Sequence, residues 1–356
     1  MSVPVTGVED LDDARALLDA DTSGLLRGAA SAGALVRATA AAVAEGALDA
    51  LDGHAPRSVV VAGGSGSARL AGDLVAAASA ASSGIPVLAT HTVPRWVGPL
   101  DVLVVLADDA GDSVLAEEVG RAARRGAEVV LGCPEDGPLA AAGGSRTLRL
   151  PPRVPVPAGM SFPRHVAVAA AVLATLVGPG QPAGNLEVLA DALDAEAGRD
   201  RAANDVFGNP AKRLAVRMSG HGCVLAGAGA PGTVVAEHAA VALLRHAGIV
   251  AAAVSLSDAL AAPAHPGSVG HDQRAGLFHD PQLDGPLVGT PRRVLVLATA
   301  EDHARAQART QALDDVEVLT ATEVGEPGLP GAGALTELLV LGLRLETAAV
   351  YLGLLR

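Results

Sequence analysis

The sequence predicts an α/β protein made of two doubly wound parallel sheets, each a Rossmann-like αβα sandwich, related by a pseudo-twofold. Three observations carry that expectation. Short β-branched and aliphatic runs alternate with Ala/Leu-rich stretches of helical spacing, the signature of repeated strand–helix units. The first strong run, Val59-Val60-Val61-Ala62, breaks into Gly63-Gly64-Ser65-Gly66-Ser67 and continues as an apolar helix. The arrangement returns in the second half, where Cys223 to Ala226 ends in Gly227-Ala228-Gly229.

The elements follow in order. Residues 9–52 are helical, with Leu11, Leu17, Leu18, Leu25, Leu26 and Leu35 at helical spacings. Ser58 to Ala62 is the first strand and Leu70 to Ala80 its helix. Ile85 to Thr90, Asp101 to Leu106, Glu128 to Gly132 and Arg146 to Leu150 supply further strands, with a helix over Val114 to Arg125. Pro151 to Pro157 is an extended linker, and a helix covers Arg164 to Leu176. The spacing divides the chain into a first domain at 1–178, a crossing linker at 179–208 and a second domain at 209–356. Beyond the crossing come a helix at Pro210 to Met218, a strand at Cys223 to Ala226 and a helix at Val234 to His246. Strands at Ile249 to Ser255, Arg293 to Ala298 and Val316 to Thr320 precede a closing helix at Ala332 to Leu355. Residues 261–292, rich in Pro, Gly and His, form a long connection of the kind that carries function.

Composition narrows the function classes. The chain has 356 residues, enough for two cores, and half of them are apolar, but only 1% are aromatic, so the cores are Ala, Val and Leu. A net charge of −13 argues against nucleic acid and anionic membranes as partners. The Met1 to Ala20 segment carries acids and no basic, apolar leader, and no apolar run reaches the length of a membrane span. Cys133 and Cys223 fit no metal spacing and read as small core residues in a reduced, cytoplasmic compartment.

The Gly-rich turn is the first candidate site. Glycines allow close backbone approach, the following helix offers unpaired N–H groups, and Ser65 and Ser67 add hydroxyls, which together suit an anion. A nicotinamide dinucleotide is disfavoured: Arg69 stands where the third glycine belongs, and Thr90-His91 lacks a ribose-binding acid. A tight turn with no ligand stays open. After the third strand comes Asp108-Asp109-Ala110-Gly111-Asp112-Ser113. This loop is either a metal-binding acidic cluster or, as favoured here, a solvated loop whose Asp112 or Ser113 caps the next helix. The histidines spell no zinc motif, no serine nucleophile elbow is present, and no cofactor or metal is expected.

Several segments together resemble the bifunctional phosphoglucose/phosphomannose isomerases, a family with two sugar-isomerase (SIS) domains per chain. Gly63-Gly64-Ser65 with Gly72-Asp73-Leu74 is similar to the family's first sugar-phosphate loop. Pro157-Ala158-Gly159-Met160-Ser161-Phe162-Pro163-Arg164 is similar to its Pro-Gly-x-x-Pro-Arg segment. Asn209-Pro210-Ala211-Lys212 resembles the opening of its second domain, and Val350-Tyr351-Leu352-Gly353-Leu354-Leu355 its last helix.

The resemblance implies two SIS-like domains, a homodimer with composite sites and a sugar phosphate or related carbohydrate derivative as ligand. It places Gly63, Gly64, Ser65, Ser67, Gly111 and Ser113 on the substrate, with Arg164 as the cation beside the enediolate and His271, in His271-Asp272-Gln273, as the ring-opening group. Departures weigh against turnover. The family's Ser-x-Ser-Gly-Asn-Thr loop is replaced by Asp108, Ala110, Gly111, Asp112 and Ser113, and carboxylates repel a phosphate dianion. Arg245 stands in place of the glutamate base, and the family's terminal lysine has no counterpart before Arg356. Glu237 lies two turns upstream, about 12 Å from Arg245, and is set aside as a substitute. The resemblance therefore implies a carbohydrate-derivative binding protein with an eroded site and weak or no isomerase activity. The alternatives are an active aldose–ketose isomerase with an altered site or substrate, and a structural partner of another enzyme.

Overall fold

The computed structural model describes residues 8–64, 66–144, 146–178, 185–262, 292–311, 313, 315–322, 328–329 and 331–355. Helices α1 (Ala14–Ala20), α2 (Leu25–Ala30) and α3 (Ala32–Ala44) precede the first sheet. That sheet contains β1 (Ser58–Gly63), β2 (Val87–Thr90), β3 (Asp101–Leu106), β4 (Glu128–Gly132) and β5 (Leu148–Arg149), all parallel, in the order β2-β1-β3-β4-β5. Helix α4 (Gly66–Ser79) follows β1, α5 (Ser113–Arg124) follows β3, α6 (Pro138–Ala142) follows β4, and α7 (Phe162–Val177) leaves the sheet.

Helices α8 (Leu186–Arg199) and α9 (Pro210–Met218) lead to the second sheet. Its strands β6 (Gly222–Gly227), β7 (Ala252–Ser255), β8 (Arg292–Leu297) and β9 (Val316–Leu319) are parallel in the order β7-β6-β8-β9. With them come α10 (Ala230–Ala247), α11 (Leu256–Ala261), α12 (Ala300–Thr310) and α13 (Ala334–Leu354). The two sheets repeat one strand order, and each Gly-rich turn leaves the strand beside the point where that order reverses. In open α/β sheets ligands bind at that point, outside the carboxyl ends of the strands.

Every residue of β1 and β3 is buried, which explains their continuous apolar sequence. Successive side chains serve different layers. Val59, Val61, Val102 and Val104 enter a core that runs on through α4, α7, α10 and α13, joining both sheets. Val60, Leu103, Val105 and Leu131 pack the opposite face against α5. Gly63 and Gly227 are required by steric closeness: a Cβ would lie 2.6 Å from the Ala68 backbone in the first and 2.0 Å from Thr233 N in the second.

The structure departs from the sequence expectation in places. Helix α4 begins at Gly66, not Leu70, because its first turn carries no apolar periodicity to announce it. The expected crossing contains a 14-residue helix, α8, capped by Asn185, whose Oδ1 accepts from Glu187 N and Val188 N. Helices α6 and α11 are short additions with no apolar periodicity of their own.

Buried polar joints tie α8, α9 and α13 together. Asn209 caps α9 by accepting from Lys212 N at 2.9 Å. The Lys212 ammonium is buried, donates to the carbonyls of Ala202 and Asn204 at 2.8 and 2.6 Å, and stands 5.6 Å from the Tyr351 ring. Tyr351 in turn donates to the Asp200 carbonyl at 2.7 Å. Arg344 of α13 binds Glu196 of α8 and the carbonyls of Thr320 and Ala321. Glu346 lies between His238 and His246 of α10, 3.6 Å from each imidazole Nε2. Both cysteines are buried free thiols, and no described helix is long and apolar enough to cross a membrane.

Candidate functional site

The carboxyl ends of β1 and β3 bring two loops together. Ser67, in the first turn of α4, is buried and donates its hydroxyl proton to Asp108 Oδ2 at 2.8 Å. Asp108 follows β3, and its Oδ1 meets Nε2 of His165 on α7, also at 2.8 Å. His165 is wholly buried, and burial, then the charge of Arg164, pushes its pKa down against the pull of Asp108. A neutral imidazole donating from Nε2 follows. Burial alone would raise the Asp108 carboxyl, but the hydrogen bond from His165, with hydroxyls of Ser161 and Ser67, holds it well below the usual range. The result is a fixed carboxylate whose side chain is still 41% exposed.

Neighbouring acids are spent locally. Asp109 Oδ1 accepts from Gly111 N at 2.8 Å, and Asp112 Oδ1 caps α5 by accepting from Leu115 N at 2.9 Å. The capping reading of Asp112 therefore holds. A Cβ on Gly64 would stand 3.4 Å from Asp112 Oδ2, so the two loops face each other closely. Ser113 is the exposed first residue of α5. Among the described residues no group of His, Cys, Asp and Glu is arranged to hold a metal ion.

Arg164 is buried, and its guanidinium is engaged by main chain: it donates to the carbonyls of Gly132 at 2.9 Å, Leu150 at 3.3 Å and Ala107 at 3.4 Å. It thus gathers the segments at the carboxyl ends of β3, β4 and β5. A further contact of 3.4 Å to His165 Nδ1 orients the ring that holds Asp108. Arg245 is exposed in the last turn of α10, where it donates to the Gly159 carbonyl at 3.1 Å. Glu237, two turns upstream on the same helix, has a different partner: its carboxylate lies 3.2 Å from Arg69 of α4, which also binds Asp73 at 2.8 Å. Glu237 lies on the part of α10 that meets α4. Ser65 and His271 lie outside the described residues.

His165 escapes a reading of the sequence. Nothing local distinguishes it from any histidine in an Ala/Val helix; only the approach of Asp108, 57 residues earlier, does so. Chemically, the described side chains at the turn offer acceptors. Ser67 has committed its proton and presents lone pairs, and Asp108 presents a carboxylate. Such a surface suits ligand hydroxyls.

No protein-family model matches the chain, and no curated protein matches it by sequence. Solved structures do. Tagatose-6-phosphate ketose/aldose isomerase from Escherichia coli aligns over 94% of each chain at a TM-score of 0.62 and 14% identity. The C-terminal domain of glucosamine-fructose-6-phosphate aminotransferase from Francisella tularensis aligns over 95% of this chain and 97% of that one, at 0.60 and 13%. A glucose-6-phosphate isomerase like protein from Thermus thermophilus aligns over 98% and 94%, at 0.53 and 20%. The fold is that of the SIS-type phosphosugar isomerases.

Proposed function

We propose that this chain binds a carbohydrate derivative, a sugar phosphate or a close relative, and isomerises glucose 6-phosphate and mannose 6-phosphate weakly or not at all. The observation that carries the reading is the bond from Ser67 to Asp108. A phosphate-binding hydroxyl must donate to the anion; this one donates to a neighbouring carboxylate, and that carboxylate is kept ionised beside the place a dianion would take. A sugar's own hydroxyls can donate to both groups. The ligand contacts in this reading are Gly63, Gly64, Ser65, Ser67, Gly111 and Ser113, with the chain divided at 1–178 and 209–356 and working as a homodimer in the cytoplasm. The descent from a bifunctional phosphoglucose/phosphomannose isomerase rests on the sequence resemblance.

The test is a coupled isomerase assay with both sugar phosphates, run beside a thermal-shift series of sugar phosphates and nucleotide sugars. Stabilisation with turnover at least a hundredfold below the ordinary enzyme median of about 10 s⁻¹ supports the proposal; turnover near that median overturns it. A second reading, an active isomerase with a displaced base, is favoured by Glu237, whose carboxylate reaches the helix that starts at the Gly-rich turn. Loss of measurable turnover in Glu237→Gln would support that reading.

A further inference from the structure

A cavity of about 300 Å³ lies away from the sheet ends, where α1, α2, the end of α8 and α13 meet. Leu18, Leu26 and Ala197 give it apolar walls, and Arg27 and Arg201 also line it. Neither guanidinium has an ion-pair partner among the described residues, in a chain of net charge −13. Asp200 lines the same cavity. Its Oδ1 accepts from Ala211 N at 3.0 Å, but Oδ2 is buried with no hydrogen-bond partner.

We propose that this cavity binds a small organic monoanion, a carboxylate on a compact apolar body, with the anionic head against Arg27 and Arg201. The neighbourhood is prepared for an acceptor. Burial, then the adjacent Glu196, pushes the Asp200 carboxyl well above its ordinary pKa, which weakens its repulsion of an anion. Glu196 is itself covered by Arg344 and Arg199. The anion therefore meets two cations. The apolar walls exclude a polar sugar ring, which separates this site from the one at the sheet ends.

Calorimetric titration of the full chain with benzoate, benzamide and benzylammonium tests the proposal, since the three share a body and differ in charge. Benzoate binds, and benzamide and benzylammonium bind at least about tenfold more weakly, the worth of one charge-assisted hydrogen bond. Arg27→Gln and Arg201→Gln, both at exposed positions, each weaken benzoate by about the same factor. Ala30→Trp, from another exposed lining position, blocks it. Equal binding of benzoate and benzamide, benzoate binding indifferent to both arginines, or no benzoate binding at millimolar concentration each overturns the proposal.

Discussion

Asp108 and His165 share a hydrogen bond of 2.8 Å in which a buried neutral imidazole donates to an ionised carboxylate. The two depressed pKa values act in the same direction on stability. Unfolded His165 takes up a proton near its ordinary 6.5 and unfolded Asp108 near 3.8; in the folded protein each does so only at lower pH. In both cases the unfolded state binds more protons, so stability falls as pH falls, first through about 6.5 and again below about 4. His165→Gln should flatten the first limb of a plot of Tm against pH. Parallel curves for wild type and variant would contradict the assignment of a neutral buried ring.

Replacing the carboxylate should change what the turn accepts. Asp108→Ser removes the fixed charge and frees the Ser67 proton, so sugar phosphates should bind about tenfold or more tightly than to wild type. Neutral sugars should bind less tightly. Thermal-shift titrations with glucose 6-phosphate and glucose distinguish the two effects, and an unchanged preference would remove Asp108 from the site.

Arg164 is expected to matter for stability before chemistry. Arg164→Leu leaves the carbonyls of Gly132, Leu150 and Ala107 without their donor. A loss of about 3 kcal/mol or more follows from unsatisfied buried acceptors. Denaturant unfolding measures it. A variant of wild-type stability would show that these contacts are weak and that the guanidinium is available for a ligand.

Glu346 supplies a second acid-sensitive contact. Its carboxyl is completely buried, which would raise its pKa, yet His238 and His246 hold it down at about 2 against an ordinary 4.5. The folded value is depressed, so its contribution is fully present above about 4.5 and is lost as pH falls towards 2. The upper bound is on the order of 3 kcal/mol. Glu346→Gln should abolish this part of the acid unfolding profile while leaving the His165 limb; a variant that keeps it would assign the acid sensitivity elsewhere.

Continuous apolar strands were the most legible elements. Asp101 to Leu106 and Glu128 to Gly132 occupy the positions the sequence predicts, because strands buried on both faces admit little besides Val and Leu. Asp112 was legible as a cap because capping is local. Helix α8 was hidden behind the Gly/Pro-rich stretch at 178–184, and its pairing with α13 depends on Glu196 meeting Arg344 from 148 residues away. The site was less legible than the fold for the same reason. Ser67, Asp108 and His165 come from three separate elements, and no spacing rule links them.

The segments through which the sequence resembles an isomerase family include several that serve the fold. Arg164 holds strand-end carbonyls, Asn209 starts a helix, and Lys212 and Tyr351 close buried main-chain groups. A residue that closes such a joint is needed whether or not the protein turns anything over. Likeness measured across these positions reports a shared scaffold, and it does not separate silent proteins from working ones. Chemistry has to be read from the few atoms at the sheet ends, where this chain has put Asp108.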